Sequence, residues 1–149
     1  MLIVEATEAD SKEIWAWRND PDTRSMSITT DVVAWVAHQS WYHDALMNPD
    51  RLLFIGWVNG GEKVGMCRFD IDPVSGQTEV SINLNPEMRS KKLSVKLLSA
   101  AIQLFWQTRK MPIAATVRKN NAASIKCFSA CGFVLASEDS EYQHYLLKP

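Results

Sequence analysis

The sequence predicts a mixed α/β fold: a largely antiparallel, twisted sheet with helices on both faces. Three observations carry that expectation. Two apolar runs flank Asn59, Gly60 and Gly61, and those three residues tolerate the positive φ that a tight hairpin turn demands. Apolar positions Leu93, Leu97, Ala101, Leu104 and Phe105 recur at helical spacing between two strand-like segments, which makes a crossover helix between parallel strands. Short elements succeed one another in the order β, α, α, β, β, β, α, β, α, β, β, the pattern of a layered α/β domain spanning residues 1–149.

Taken in order, LIVEA (2–6) reads as a short strand and TEADSKEIWAWRND (7–20) as a helix capped by Thr7, with acids in its first turn. Pro21 is expected to close that helix, leaving PDTRSMSITTD as loop. DVVAWVAHQSWYHDALM (31–47) is a second helix, ended by Asn48 and Pro49. RLLFIGWV (51–58) and EKVGMCRFDI (62–71) form the hairpin, and TEVSINL (78–84), alternating polar and apolar and stopped by Pro86, adds a third antiparallel strand. The long helix runs from Ser90 to about Arg109. PIAATV (112–117) is a buried strand, NNAASIKCFSAC (120–131) a helix capped by asparagine and ended by Gly132, and FVLAS and EYQHYLLK close the sheet.

Composition bounds the function. The chain has 149 residues, 46% hydrophobic and 22% charged, with a formal net charge of −1. A chain so nearly neutral lacks the broad basic face that binding to nucleic acid requires, so any anion site must be local. No apolar run approaches the ~20 residues a membrane-spanning helix needs. The three cysteines, Cys67, Cys127 and Cys131, are an odd number that suits buried thiols in a reducing compartment, and with no signal-peptide pattern at the start the expected location is the cytoplasm.

The local anion site is NPEMRSKKLSVKLL (85–98), where Arg89, Lys91, Lys92 and Lys96 gather at the start of the long helix. Unpaired N–H groups and a partial positive charge make a helix N-terminus a cradle for phosphate. The glycines of a nucleotide-triphosphate loop and of a dinucleotide fingerprint are both missing. INLNPEMRSKKLSVKLL resembles the acyl-CoA motif of the GNAT superfamily of N-acyltransferases, and VRKNNAASIKCFSACGF resembles its second motif. Arg89 matches the motif's arginine; Lys92 stands where the family has glycine, and Ser94 at its Gly/Ala position.

The resemblance implies acetyl-CoA as acyl donor, held by residues 51–149, with an acceptor-specificity region in residues 1–50. Asn83, Leu84 and Asn85 would pair with the pantetheine arm, and the backbone of Ser90, Lys91, Lys92, Leu93, Ser94 and Val95 would hold the diphosphate together with Arg89. Lys92 would neutralise that phosphate. Asn121 and Ser124 would lie near the pantetheine and thioester. Phe128 occupies the place at which many family members carry a tyrosine that protonates the leaving thiolate, so that donor is missing from its usual position.

Direct transfer requires a base for the attacking amine and a proton source for the thiolate. Glu79 and Ser81 project from one face of the strand leading to the cofactor loop and are the expected base, acting through water. Tyr142, with Tyr145 as the alternative, could replace the missing tyrosine, although aromatic strand positions also serve plain packing. Cys127 and Cys131 have no histidine near in sequence to activate them and read as packing. His38, His43 and His144 show no metal-ligand spacing, and no metal is expected.

For the acceptor, WRNDPDTR followed by HQSWY resembles the GNAT branch that acetylates the 4-amino group of nucleotide-linked deoxy-amino sugars in pseudaminic-acid and related surface-glycan pathways. That likeness places Arg18, Asn19 and Trp41 against the substrate. The alternatives are an enzyme acting on a protein N-terminus or another small amine, and a catalytically degenerate acyl-CoA-binding module. The expected partners are therefore acetyl-CoA and a small-molecule amine, with a homodimer left open.

Overall fold

The computed structural model describes residues 1–149. Strands β1 (Leu2–Glu5), β2 (Arg51–Val58), β3 (Glu62–Ile71), β4 (Thr78–Leu84), β5 (Ile113–Arg118), β6 (Val134–Glu138) and β7 (Tyr142–Leu147) form one sheet in the order β1-β2-β3-β4-β5-β7-β6. All neighbours are antiparallel except β4 and β5. The helices are α1 (Ser11–Asn19), α2 (Pro21–Met26), α3 (Trp35–Met47), α4 (Leu93–Thr108) and α5 (Ala122–Ala130). This is the mixed α/β fold that the sequence predicts.

Alternation along the strands sorts the side chains into two cores. Phe54, Cys67 and Phe69 face α4 and α5, where Phe69 stacks on Phe105 with ring centroids 4.5 Å apart. Their sequence neighbours Leu53, Ile55 and Met66 face the other way, toward Ile14 and Trp17 of α1 and Tyr42 and Ala45 of α3. Each central strand is thus buried on both faces, as period-two side chains between two helical layers require.

Two local expectations are corrected. The first helix does stop at Asn19, just ahead of Pro21, but Pro21 also begins another helix in a stretch expected to be loop. Asp20 accepts a hydrogen bond from the Thr23 N–H at 3.1 Å and caps α2, with Pro21 in the first turn, where its missing N–H costs nothing. The second long helix starts at Trp35 rather than residue 31, because the backbone of Val33 is taken by side chains of α1. The Val33 N–H donates to Asn19 Oδ1 at 2.8 Å, and its carbonyl accepts from Asn19 Nδ2 at 2.9 Å and Trp15 Nε1 at 2.7 Å.

Those bonds pinch residues 20–33 into a loop closed at its neck and lying across the sheet. Arg89 ties one side of it through an ion pair with Asp20 and a 2.9 Å hydrogen bond to Thr23 Oγ1. Arg118, at the end of β5, ties the other by donating to the carbonyls of Ser27 at 2.8 Å and Ile28 at 3.1 Å.

Candidate active site

The site exists because the one parallel pair is short. β4 and β5 pair only through Thr78 with Ile113 and Glu79 with Ala114. Beyond those two rungs the strands part, so one edge of β4 past Glu79 has no strand beside it. Two connected cavities occupy the split, an outer one of about 500 Å³ and an inner one of about 340 Å³. Ile82, Asn83, Asn121 and Ser124 line both, as do Thr23, Met26 and Ser27 from the closed loop above.

The outer cavity opens toward the start of α4. Ser90 and Lys92 have φ of 62° and 58°, so the chain winds in left-handed steps into the helix, and the N–H groups of residues 90–95 have no partner within the protein. Successive amides turned this way form an anion-binding concavity. The geometry gives the motif's glycine a conformational cause, since the position occupied by Lys92 requires the left-handed region. Lys92 itself is exposed and its side chain does not line the cavity, so what it contributes to the wall of the site is its backbone turn.

Arg89 lines the outer cavity, but its guanidinium is engaged by Asp20, with Asp22 3.6 Å away. The contact holds the Asp20 carboxyl below the ordinary carboxylate range, the Arg89 hydrogen bond being the largest cause. Arg89 therefore fastens the loop over the cleft instead of pointing free into it. Asn83, Leu84, Ser90, Ser94, Asn121 and Ser124 do line this cavity. Asn121 also caps α5, accepting from the Ser124 N–H at 3.2 Å. Asn85 is turned away, donating to the Lys63 carbonyl at 2.9 Å and capping the turn Pro86–Met88. Lys91, Leu93 and Val95 offer only backbone, their side chains lying outside the cavity.

Coenzyme A suits these features. The unpaired amides match a diphosphate, the open edge of β4 matches the amide groups of a pantetheine arm, and the Asn83 Oδ1, buried without a partner, is an acceptor placed where such a ligand would pass.

The inner cavity brings together Glu79, Ser81, Phe128, Arg18 and Trp41, all expected from the sequence. Phe128 is buried edge-to-face on Phe133 at 5.1 Å and has no proton to give. Two residues not expected join them. His38 is buried, its Nε2–H donating to the Ser11 carbonyl at 3.0 Å, and burial lowers its basicity. Arg68 packs its guanidinium 5.0 Å from the Trp41 ring centroid and donates from Nε to Asp70 at 2.9 Å. The signal for Arg68 was present in the sequence, as a lone cation amid the apolar run from Val64 to Phe69.

Tyr142 is not in the cleft. Its ring lies under the Arg118 guanidinium at 5.2 Å on the β5–β7 pair, outside both cavities. Tyr145 is buried, donating to Gln143 at 2.7 Å. Asn19 is spent on the loop neck. Cys127 lines the outer cavity, while Cys131 donates to the Val95 carbonyl at 3.7 Å and is held protonated by its neighbour and by burial. No group of three or more potential metal-ligating side chains occurs.

The family description "Acetyltransferase (GNAT) domain" matches residues 1–134. The chain belongs to the GNAT acetyltransferase family. As a GNAT acetyltransferase it uses acetyl-CoA as cosubstrate. Its fold matches that of a Vibrio cholerae spermidine N-acetyltransferase in complex with CoA and spermine (TM-score 0.88, 14% identity, 99% of this chain and 94% of the other). It also matches a domain from Methanocaldococcus jannaschii (TM-score 0.82, 21% identity, 99% and 97%). A candidate phosphinothricin N-acetyltransferase is similar too (TM-score 0.83, 18% identity, 99% and 97%). No curated protein sequence matches the chain. Two of these structures are named for amines, spermidine and phosphinothricin, and none for a nucleotide sugar.

Proposed function

We propose that this GNAT enzyme acetylates the primary amine of a small molecule by direct transfer within a ternary complex. One observation carries the reading. The inner cavity, walled by Glu79 and Ser81, meets the outer groove at Asn83 and Asn121, where the two strands part. A thioester lying along the open edge of β4 would end at that junction. The amine nitrogen bonds to the carbonyl carbon and the C–S bond breaks. One proton leaves the nitrogen and one is taken up by the thiolate, giving the N-acetylated amine and CoA.

The residues divide that work. Glu79 accepts the proton from the amine, directly or through water held by Ser81. The N–H groups of residues 90–95 grip the diphosphate, and the open edge of β4 aligns the acyl chain. With phenylalanine at position 128 and Tyr142 outside the cleft, solvent protonates the thiolate. The three unpaired thiols suit the cytoplasmic location that we propose with this activity.

The acceptor class has two readings. A polyamine is suggested by the name of the Vibrio cholerae protein. The 4-amino group of a nucleotide-linked deoxy-amino sugar is favoured by Arg18 and Trp41, a cation and a flat ring on the cavity wall. Thiol release from acetyl-CoA, measured across an amine panel, tests the proposal. Turnover of a small-molecule amine is expected, and thiol release with none of them while acetyl-CoA binds tightly would overturn it.

A further inference from the structure

We infer that the inner cavity is an anion subsite, in which Arg18 and Arg68 hold an acidic group of the acceptor, a carboxylate or phosphate, while Glu79 faces its amine. The inference rests on the acetyltransferase reading and narrows it from small amines in general to those that also carry an acid.

Arg18 comes from α1 and Arg68 from β3, so two elements distant in sequence each deliver a guanidinium to one cavity. Arg18 is half-buried and makes neither a hydrogen bond nor an ion pair with any protein group, although each of the other six arginines in the chain has a partner. Arg24, Arg51, Arg68, Arg89, Arg109 and Arg118 are all bonded or paired. Burial and the repulsion of Arg68 both weaken the hold of Arg18 on its proton. An unpaired, half-buried cation beside a second cation is costly unless something arrives to neutralise it.

Arg68 is set up for the same partner. Asp70 occupies its Nε, and the Trp41 face steadies the guanidinium plane. Its terminal nitrogens have no protein acceptor. Guanidinium forks match carboxylate and phosphate oxygens two at a time, a geometry that an ammonium lacks. Glu79 is the cavity's only carboxylate, and it forms no ion pair with either arginine. A polyamine, with two or three ammonium groups, would meet two guanidiniums, one of them backed by Asp70, and a single carboxylate on the cavity wall. An amine bearing an acid would meet complementary charge at both ends.

The test uses the full chain saturated with CoA for binding by calorimetry, and with acetyl-CoA for thiol release. The probes are matched pairs that differ in the acid alone, glucosamine 6-phosphate against glucosamine and L-methionine against its amide, with spermidine as the polycation. The acid-bearing members are expected to be favoured by about tenfold or more, as for charge-assisted contacts in a partly buried site. In Arg18→Gln that ratio falls toward one, and in Arg18→Lys it is partly restored. CoA binding by each variant reports that it has folded. Preference for spermidine or for the neutral members, or failure of every acid-bearing member to bind or react, overturns the inference and leaves the acetyltransferase reading standing. Loss of CoA binding by the unaltered protein sinks the reading beneath it.

Discussion

Lys92 holds a backbone conformation that its side chain disfavours, with φ of 58° and ψ of 30°. Lys92→Gly is therefore expected to stabilise the fold by about 0.5–1 kcal/mol in urea unfolding and to keep its CoA affinity. Glu79→Gln is expected to lower kcat by roughly 10²–10⁴-fold, the usual span for a general base. Tyr142→Phe should leave kcat as it is, because the ring sits under Arg118 away from the cleft. Asp20 has its pKa depressed by Arg89, so its contribution to stability is present above the unfolded carboxylate pKa of about 3.9 and is lost as pH falls through the lower folded value. Unfolding midpoints followed from pH 6 down to 2 should fall less steeply in Asp20→Asn than in the unaltered protein. Residue types at the site were legible in the sequence; their partners were not. Arg89 could be read as a motif arginine, yet nothing local announces that it reaches Asp20, and the commitment of Asn19 to Val33 is equally a matter of how α1 packs.

The elements with punctuation at both ends were legible to the residue. β2, β3 and β4 run where the apolar runs and their Gly, Asn and Pro stops place them, whereas Pro21 permits either a stop or a start and only the cap by Asp20 decides. Gly65 shows how closely β3 and β4 approach. A Cβ there would stand 2.6 Å from the Asn83 carbonyl oxygen and 2.9 Å from the Leu84 Cα, both backbone atoms of the strand that walls the cleft. Gly65→Ala is thus expected to destabilise by about 1–3 kcal/mol, and by pushing β4 aside it should weaken CoA binding in calorimetry as well. The same change at Gly60, which has open space around its Cβ, lacks any such clash, though its φ of 95° still strains an alanine.

At the scale of the molecule, the sheet is two antiparallel units, β1–β4 and β5–β7, joined in hydrogen bonding by two rungs. The apolar pattern does not reveal that split, because a parallel pair and a parallel pair that comes apart look the same in it; only the resemblance to the acyl-CoA motif, which has the splayed strand end at Asn83, Leu84 and Asn85 pair with a pantetheine arm, pointed to it. A ligand lying in the split touches both units, so CoA at one hundred times its Kd should add about 2.7 kcal/mol to stability. For a chain of this length the thermal midpoint would rise by roughly 5–10 °C. An unchanged midpoint would mean that no ligand spans the two units. The loop of residues 20–33 spans them already, fastened by Arg89 on one bank and Arg118 on the other. That strap roofs both cavities, through Thr23, Met26 and Ser27, and so stands over donor and acceptor alike. A transplanted segment that preserved the neck at Asn19 and both arginine moorings is therefore expected to alter the hold on the thioester together with the range of amines admitted.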